Sequence, residues 1–234
     1  LGLADRLDSL AGLFTVGLSP SGSADPFGLR RVALGAVQIM IGREIPLSFH
    51  DALQEALALL PVPADPDVLD EVETFIRQRL QRYLLDQGYR YDLVDSVLAE
   101  RGDNPFLAAR TVEESSPWVE RGDWMDLLNA YARCVRITRE FERTFALDPG
   151  AFIEPATKAV HEAYVTASQA LTPQDGIGVL FEALLSMIAP INLFFDEVLV
   201  MDPDEKLREN RLALLQRIAG LADGIVDLSR MEGF

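Results

Sequence analysis

The stretch "DPFGLRRVALGAVQIMIGR", residues 25–43, carries the pattern that decides the fold class. Asp25 followed by Pro26 is typical of a helix start, because a carboxylate accepts backbone N–H groups and proline fits the first helical position. The same pair returns at Asp65 and Pro66. These signals predict that the chain is built from helices.

Helical patterns continue on both sides of this stretch. Ser48 with Asp51 resembles a capping box, and no alternating pattern long enough for a β-strand appears. Pro190 is expected to kink the helix that contains it. The first helix has an apolar stripe at helical spacing: Leu3, Leu7, Leu10, Leu13 and Phe14. The predicted helices cover residues 1–15, 26–43, 49–60, 66–86, 91–101, 123–146, 155–170, 173–200 and 203–230.

The helices are predicted to form two domains. Residues 1–104 form the first helical domain and residues 122–234 the second, with a short connector over residues 105–121. The connector is the mixed stretch that follows the break "GDNPF" at residues 102–106. The predicted fold class is therefore all-α, with two helical bundles.

Composition limits the classes of function. The 234 residues are 49% hydrophobic and carry a net charge of −16, which makes the chain a poor general binder of phosphate backbones. A local basic face can still bind RNA, with the surrounding acids limiting non-specific attachment. No apolar run approaches the ~20 residues that cross a bilayer, so no membrane association and a cytoplasmic location are expected. Because Leu1 falls inside an amphipathic pattern, we expect a piece of a longer protein.

Few side chains offer reactive chemistry. The single cysteine, Cys134, excludes an internal disulfide and a multi-thiolate metal site. His50 and Asp51 spell the dipeptide of metal-dependent phosphohydrolases, but His161 is the only other histidine and capping explains Asp51. Paired carboxylates lie at helix starts or on polar faces, where acids are expected. We assign no catalytic residue and no metal ligand.

The loop "GLSPSGSADPFGLRR", residues 17–31, is not predicted to bind phosphate. A Walker-type loop needs a lysine after its glycines, and here Asp25 occupies the place that a phosphate would take. Arg30 and Arg31 follow the loop, and we expect them to face RNA or a neighbouring domain.

Two basic clusters are candidates for binding nucleic acid. In "ARCVRITREFER", residues 132–143, four arginines fall within about 120° of a helix circumference, and the two interpretations are RNA contact or a solvated face. These are Arg133, Arg136, Arg139 and Arg143. The second cluster is Arg208 and Arg211, where pairing with nearby acids slightly favours a structural role.

Two stretches resemble a known family. "ADRLDSLAGLFTVGLSPSGSADPFGLRRVALG", residues 4–35, and "FFDEVLVMDPDEKLRENRLALLQRI", residues 194–218, are similar to the β subunit of the bacterial heterotetrameric glycyl-tRNA synthetase. The resemblance runs to roughly residue 230 and is weak over residues 103–130. It implies the later half of an HD-like helical domain, followed by a DALR-type anticodon-binding domain. Asp5 or Asp8 then matches the final aspartate of the HD pattern.

The resemblance also implies a function. The α subunit of the family carries out aminoacylation with ATP and magnesium, and two β subunits with two α subunits form the holoenzyme. The chain is then a noncatalytic part, without a cofactor of its own, that binds and positions tRNA-Gly; the alternative is a protein–protein docking module without RNA contact. Trp124 or Tyr131 is a candidate to stack on unpaired bases, and the equal alternative is that both lie in the core, beside apolar helix positions. The candidate tRNA contacts are Arg30, Arg31, Arg133, Arg136, Arg139, Arg143, Arg208 and Arg211.

Overall fold

The computed structural model describes residues 1–171 and 176–234. Within these residues the chain forms ten α-helices and no strand, so the predicted all-α class is confirmed. The chain divides into two compact units, Leu1–Glu113 and Glu114–Phe234, which we call the N-terminal and the C-terminal unit. The division falls inside a helix, Pro105–Val119, in the segment where the sequence predicts a connector.

The N-terminal unit contains five complete helices. They are α1 (Gly2–Thr15), α2 (Leu29–Gly42), α3 (Phe49–Ala58), α4 (Val68–Asp86) and α5 (Tyr91–Arg101). The division between the units lies in α6 (Pro105–Val119). The C-terminal unit contains α7 (Trp124–Thr138), α8 (Pro155–Ala170), α9 (Ile177–Glu197) and α10 (Glu205–Ala219).

The core of the N-terminal unit forms where α1 packs against α2, α3 and α4. The predicted stripe of α1 supplies Leu7, Leu10 and Phe14, all buried, and Phe14 meets Phe75 of α4 edge to face at 5.2 Å. Each such side chain stabilises the fold by about 1.5–3 kcal/mol when it is fully buried. The predicted cap of α3 is confirmed, since the Asp51 backbone N–H donates to Ser48 Oγ at 3.2 Å.

Both Asp-Pro pairs lie in turns ahead of their helices. α2 begins at Leu29 and α4 at Val68, so the predicted starts are two or three residues too early. Asp25 still caps α2, because its carboxylate accepts the backbone N–H groups of Leu29 at 2.7 Å and Arg30 at 3.0 Å. The aspartate therefore accepts these bonds from the turn before the helix, although Gly28 and not Asp25 is the residue at the N-cap position.

The C-terminal unit has a continuous apolar core. α8 packs on α9, and α7 packs on both α9 and α10. The largest buried side chains include Phe181 and Phe194 from α9, and Leu214 and Leu215 from α10. The predicted helix over 203–230 ends at Ala219, after which two short 3-10 turns continue the chain.

α9 is the most apolar helix of this unit. It is 21 residues long, and an 18-residue stretch of it has a mean hydropathy of 1.9, so by length and composition it could cross a membrane, and the sequence-based expectation that no run approaches this length is wrong. One face of α9 lies in the core, where Leu180, Leu184, Met187 and Ile191 are buried, as in the core helix of a globular domain. The predicted start of this helix at residues 173–175 lies outside the described residues.

α7 ends much earlier than predicted, at Thr138 rather than at residue 146. The segment after it runs along α10 and is held by side chains of that helix. Gln216 accepts from the backbone N–H of Phe145 at 3.0 Å and donates to the carbonyl of Arg143 at 2.9 Å. These bonds replace the helical hydrogen bonds that the segment would otherwise make.

Candidate nucleic-acid interface

α7 places three arginines away from the core. Its other face is buried, with eight residues packed inside the unit: Trp124, Leu127, Leu128, Ala130, Tyr131, Ala132, Cys134 and Thr138. Arg133 and Arg136 are one turn apart on the remaining face, and Arg139 follows at the helix end. Steps of three residues rotate by about −60°, so the three side chains spread over roughly 120°. We call Arg133, Arg136 and Arg139 the arginine row.

Arg133 is half-buried and held in place by α9. Its Nη1 donates to Asn192 Oδ1 at 3.1 Å, and its guanidinium lies over the Phe195 ring at 4.3 Å from the centroid. Asp196 approaches the Arg133 guanidinium at 3.8 Å, with its carboxylate largely exposed. A pair of this kind in solvent adds little stability, so the stacked, hydrogen-bonded arginine is mainly an oriented cation.

Arg136 and Arg139 are the exposed members of the row. Arg136 lies over the Phe234 ring at 5.4 Å from the centroid, and Arg139 extends into solvent. Neither forms an ion pair with any residue in the described part of the chain. Their two charges are therefore available to an outside anion, in a unit with 11 basic and 20 acidic residues.

Arg143 does not belong to the arginine row. The prediction that it shares a helix face with the other three is wrong, because α7 ends at Thr138 and Arg143 lies beyond it. Its guanidinium pairs with Glu209 of α10 and lies over the Phe145 ring at 4.6 Å. Arg143 therefore stabilises the contact between its segment and α10.

The second predicted cluster faces inward. Arg211 is 5% exposed, and its guanidinium binds the carboxylates of Glu154 and Asp202, the latter at 2.8 Å, and the carbonyl of Leu199 at 2.8 Å. Arg208 Nη1 donates to the carbonyl of Asp202 at 2.7 Å. Arg211 therefore has no free surface for a phosphate.

The two carboxylates that bind Arg211 both have a lowered pKa. The hydrogen bond from Arg211 is the main reason why the pKa of Asp202 lies below its usual 3.8. Partial burial tends to raise the pKa of Glu154, but hydrogen bonds from its own backbone N–H and from Thr157, together with the charge of Arg211, lower it overall. Both groups are thus held as carboxylates at neutral pH.

The two arginines of the N-terminal unit differ from each other. Arg30 secures the loop before α2, since its Nη2 donates to the carbonyl of Gly22 at 2.7 Å and its Nη1 to that of Ala24 at 3.3 Å. Asp25 lies 3.9 Å from the same guanidinium. Arg31 is exposed and forms no ion pair with a described residue, so it remains a candidate contact.

The aromatic side chains near the row are not those expected. Trp124 and Tyr131 are buried, and the Tyr131 hydroxyl donates to the carbonyl of Ala219, so neither can stack on a base. Phe195 and Phe234 lie against Arg133 and Arg136 and are partly exposed. Nothing in the sequence pattern distinguishes these two rings from ordinary core residues.

A polar groove adjoins Arg133 between α7 and α9. It has a volume of about 730 Å³ and is open to solvent. Asn129, Asn192 and Asp126 contribute amide and carboxylate groups to its lining. Such groups can hydrogen-bond to the edges of unpaired bases, whereas phosphates are bound by cations.

The surroundings of the remaining reactive candidates indicate structural roles for them. Burial raises the pKa of the Cys134 thiol to about 12, so the thiolate that would react is absent at neutral pH. His50 Nδ1 lies 2.6 Å from Glu73 Oε1, which links α3 to α4. Among the described residues no group of three or more His, Cys, Asp or Glu side chains converges on a metal position.

Comparisons with known proteins show what the chain is similar to. Residues 1–99 match the family described as glycyl-tRNA synthetase beta subunit. The chain is 36% identical, over its full length, to a chloroplastic/mitochondrial glycine–tRNA ligase of Arabidopsis thaliana, and covers 22% of that protein. It is also 36% identical to the glycine–tRNA ligase beta subunit of Moorella thermoacetica and 33% to that of Halalkalibacterium halodurans, covering 35% and 33% of them.

These relatives are by name glycine–tRNA ligases or beta subunits of such ligases. The similarity to them extends along nearly the whole chain, whereas the family match covers residues 1–99. It spans about a third or less of the length of the curated relatives that it matches.

Proposed function

We propose that the chain is a noncatalytic part of a glycine–tRNA ligase that binds and positions tRNA-Gly on the anticodon side. The observation that carries this proposal is the pair Arg136 and Arg139, exposed and without ion pairs in the described part of a chain with a net charge of −16. Arg143, which is also exposed, is instead neutralised by the carboxylate of Glu209. Two arginines without such partners suit an anionic ligand.

The proposed mechanism is positioning. Arg136 and Arg139 contact phosphates and set the register of the RNA, while the polar groove beside Arg133 accommodates an unpaired base. Arg133 presents a flat guanidinium on Phe195, and bases stack on such planes and on exposed rings such as Phe234. Arg31 is a separate candidate contact in the N-terminal unit. Arg30, Arg143, Arg208 and Arg211 are bound within the chain and contribute to its stability instead.

The remaining assignments follow from the family. We propose that the N-terminal unit corresponds to the later half of the HD-like domain and the C-terminal unit to the DALR-type domain. Aminoacylation, with ATP and magnesium, then takes place on the α subunit in a holoenzyme of two α and two β subunits. The proposed location is the cytoplasm, although one relative is by name chloroplastic/mitochondrial.

The test is a titration with tRNA-Gly at two salt concentrations. The double variant Arg136→Glu/Arg139→Glu should bind at least ten-fold more weakly at low salt, because two cationic contacts are lost and two repulsive ones are added. The wild-type affinity should fall steeply with salt, and each lost phosphate contact should reduce the slope of log K against log salt by about 0.7–0.9.

A matched control separates local from global charge. Arg43→Glu/Arg217→Glu changes the net charge equally at two other exposed arginines and should retain most of the affinity. Equal binding by the wild type and the Arg136/Arg139 variant would show that the arginine row is only a solvated face. Absence of tRNA binding together with binding of the α subunit would favour the docking module.

A further inference from the structure

The short segment between α9 and α10 is apolar at four consecutive positions, extended at its start and turning at Val200 and Met201. Val198 and Val200 are buried in the core, while Leu199 is 65% exposed and Met201 49%. Exposed apolar side chains that lie together within a polar rim are typical of interaction sites. We call Leu199 and Met201 the apolar edge.

Hydrogen bonds from two arginines of α10 fix the backbone of the apolar edge. Arg211 binds the carbonyl of Leu199 and the carboxylate of Asp202, and Arg208 binds the carbonyl of Asp202. The Asp202 carboxylate also accepts the backbone N–H of Asp204 at 2.9 Å. A segment fixed by two arginines presents its outward side chains without much loss of conformational entropy on binding.

Acidic residues surround the apolar edge. Asp196 and Glu197 precede it, and Asp202, Asp204 and Glu205 follow it, ahead of one exposed lysine, Lys206. Asp196 also lies 3.8 Å from Arg133. Four of the five are exposed: Asp196, Glu197, Asp204 and Glu205. This arrangement repels a phosphate backbone, and it also disfavours a symmetric contact with a second copy, which would place two acidic rims against each other.

We propose that the apolar edge is a docking site for a protein whose surface has an apolar centre and a rim of lysine or arginine. Charge complementarity to the acidic rim selects this partner over RNA and over a second copy. The identity of the partner rests on the proposed function, since a ligase beta subunit requires a companion. The α subunit of the same ligase is then the protein that covers the edge.

The experiment mixes the chain with the purified α subunit of the same ligase and measures their affinity by sedimentation velocity. Leu199→Ser/Met201→Ser should weaken the complex at least ten-fold, and Glu197→Lys/Glu205→Lys should do the same through the rim. The control Leu59→Ser/Val62→Ser removes two exposed apolar side chains of the N-terminal unit and should leave the affinity within two-fold. Circular dichroism verifies that each variant is folded.

The outcomes separate this inference from the proposed function. Wild-type affinity in the Leu199/Met201 variant, or no binding of the α subunit by the wild type, overturns the docking site. Self-association that the same variant abolishes also overturns it, because the edge then binds a second copy. The Leu199/Met201 variant should bind tRNA-Gly with the same affinity as the wild type. If the wild type does not bind tRNA-Gly at all, that result counts against the proposed function and not against the docking site.

Discussion

Arg211 and Arg139 illustrate how the surroundings of a side chain decide its role. Both are arginines near acidic residues in the C-terminal unit, and from the sequence both are candidate RNA contacts, with pairing to nearby acids slightly favouring a structural role for Arg211. Arg211 is buried among two carboxylates and a carbonyl, whereas Arg139 is exposed at the end of α7. The guanidinium of Arg211 therefore links elements within the unit, whereas that of Arg139 is a candidate ligand contact.

Substitution of Arg211 should destabilise the C-terminal unit. In Arg211→Met the carboxylates of Glu154 and Asp202 lose their partner, and we expect a loss of about 2 kcal/mol, below the ~3–5 kcal/mol for a fully buried pair because both acids are partly solvated. Urea denaturation measures the change. Arg139→Gln is the control and should shift the free energy of unfolding by no more than about 0.5 kcal/mol.

The pH dependence of stability should change in the same variant. Glu154 and Asp202 have a lowered pKa in the folded chain, so their contribution is present above their usual values of 4.5 and 3.8 and is lost as the pH falls through the lower, folded-state pKa. Without Arg211 the folded-state pKa of Asp202 should return towards 3.8. The stability difference between wild type and Arg211→Met should therefore narrow as the pH falls below 4.5 and then 3.8, and a constant difference would contradict the linkage.

At the level of elements, local signals explain where most helices lie and long-range contacts explain where one of them ends. The Ser48 cap and the stripe of α1 are local features, and both were predictable. The end of α7 was not, because the side chains that hold the following segment, Gln216 and Asn210, come from α10. The burial of Arg211 was only partly predictable: the sequence offers pairing with nearby acids, but Glu154 and the Leu199 carbonyl come from other elements.

Asn210 provides the test of this long-range control. It is buried, accepts the backbone N–H of Asp148 at 2.8 Å and donates to the carbonyl of Asp148 at 2.9 Å. Asn210→Ala should destabilise the unit by about 1–2 kcal/mol, because both bonds are lost while solvent can partly satisfy the exposed segment. Asn129→Ala, at an exposed position of α7, should show no destabilisation in the same urea titration.

At the scale of the whole molecule, the two units are both acidic. The N-terminal unit has 10 basic and 17 acidic residues, and the C-terminal unit 11 and 20. Most of such a surface repels a nucleic acid, so binding is confined to places where arginines or lysines lack a carboxylate partner. We therefore propose that the arginine row and the apolar edge serve different partners, since one offers free cations and the other an apolar centre within an acidic rim.

This division predicts how the acids next to the arginine row act. Glu140 and Glu142 are exposed just beyond α7, and their charges lower the local attraction for any phosphate. Glu140→Gln/Glu142→Gln should therefore strengthen the binding of tRNA-Gly and of an unrelated tRNA, and the ratio of the two affinities should fall, because the added attraction is independent of sequence. Competition binding with both tRNAs at one fixed salt concentration measures the ratio. An unchanged affinity for the unrelated tRNA would mean that the acidic residues do not restrain non-specific binding at this face, and that selectivity arises from base contacts alone.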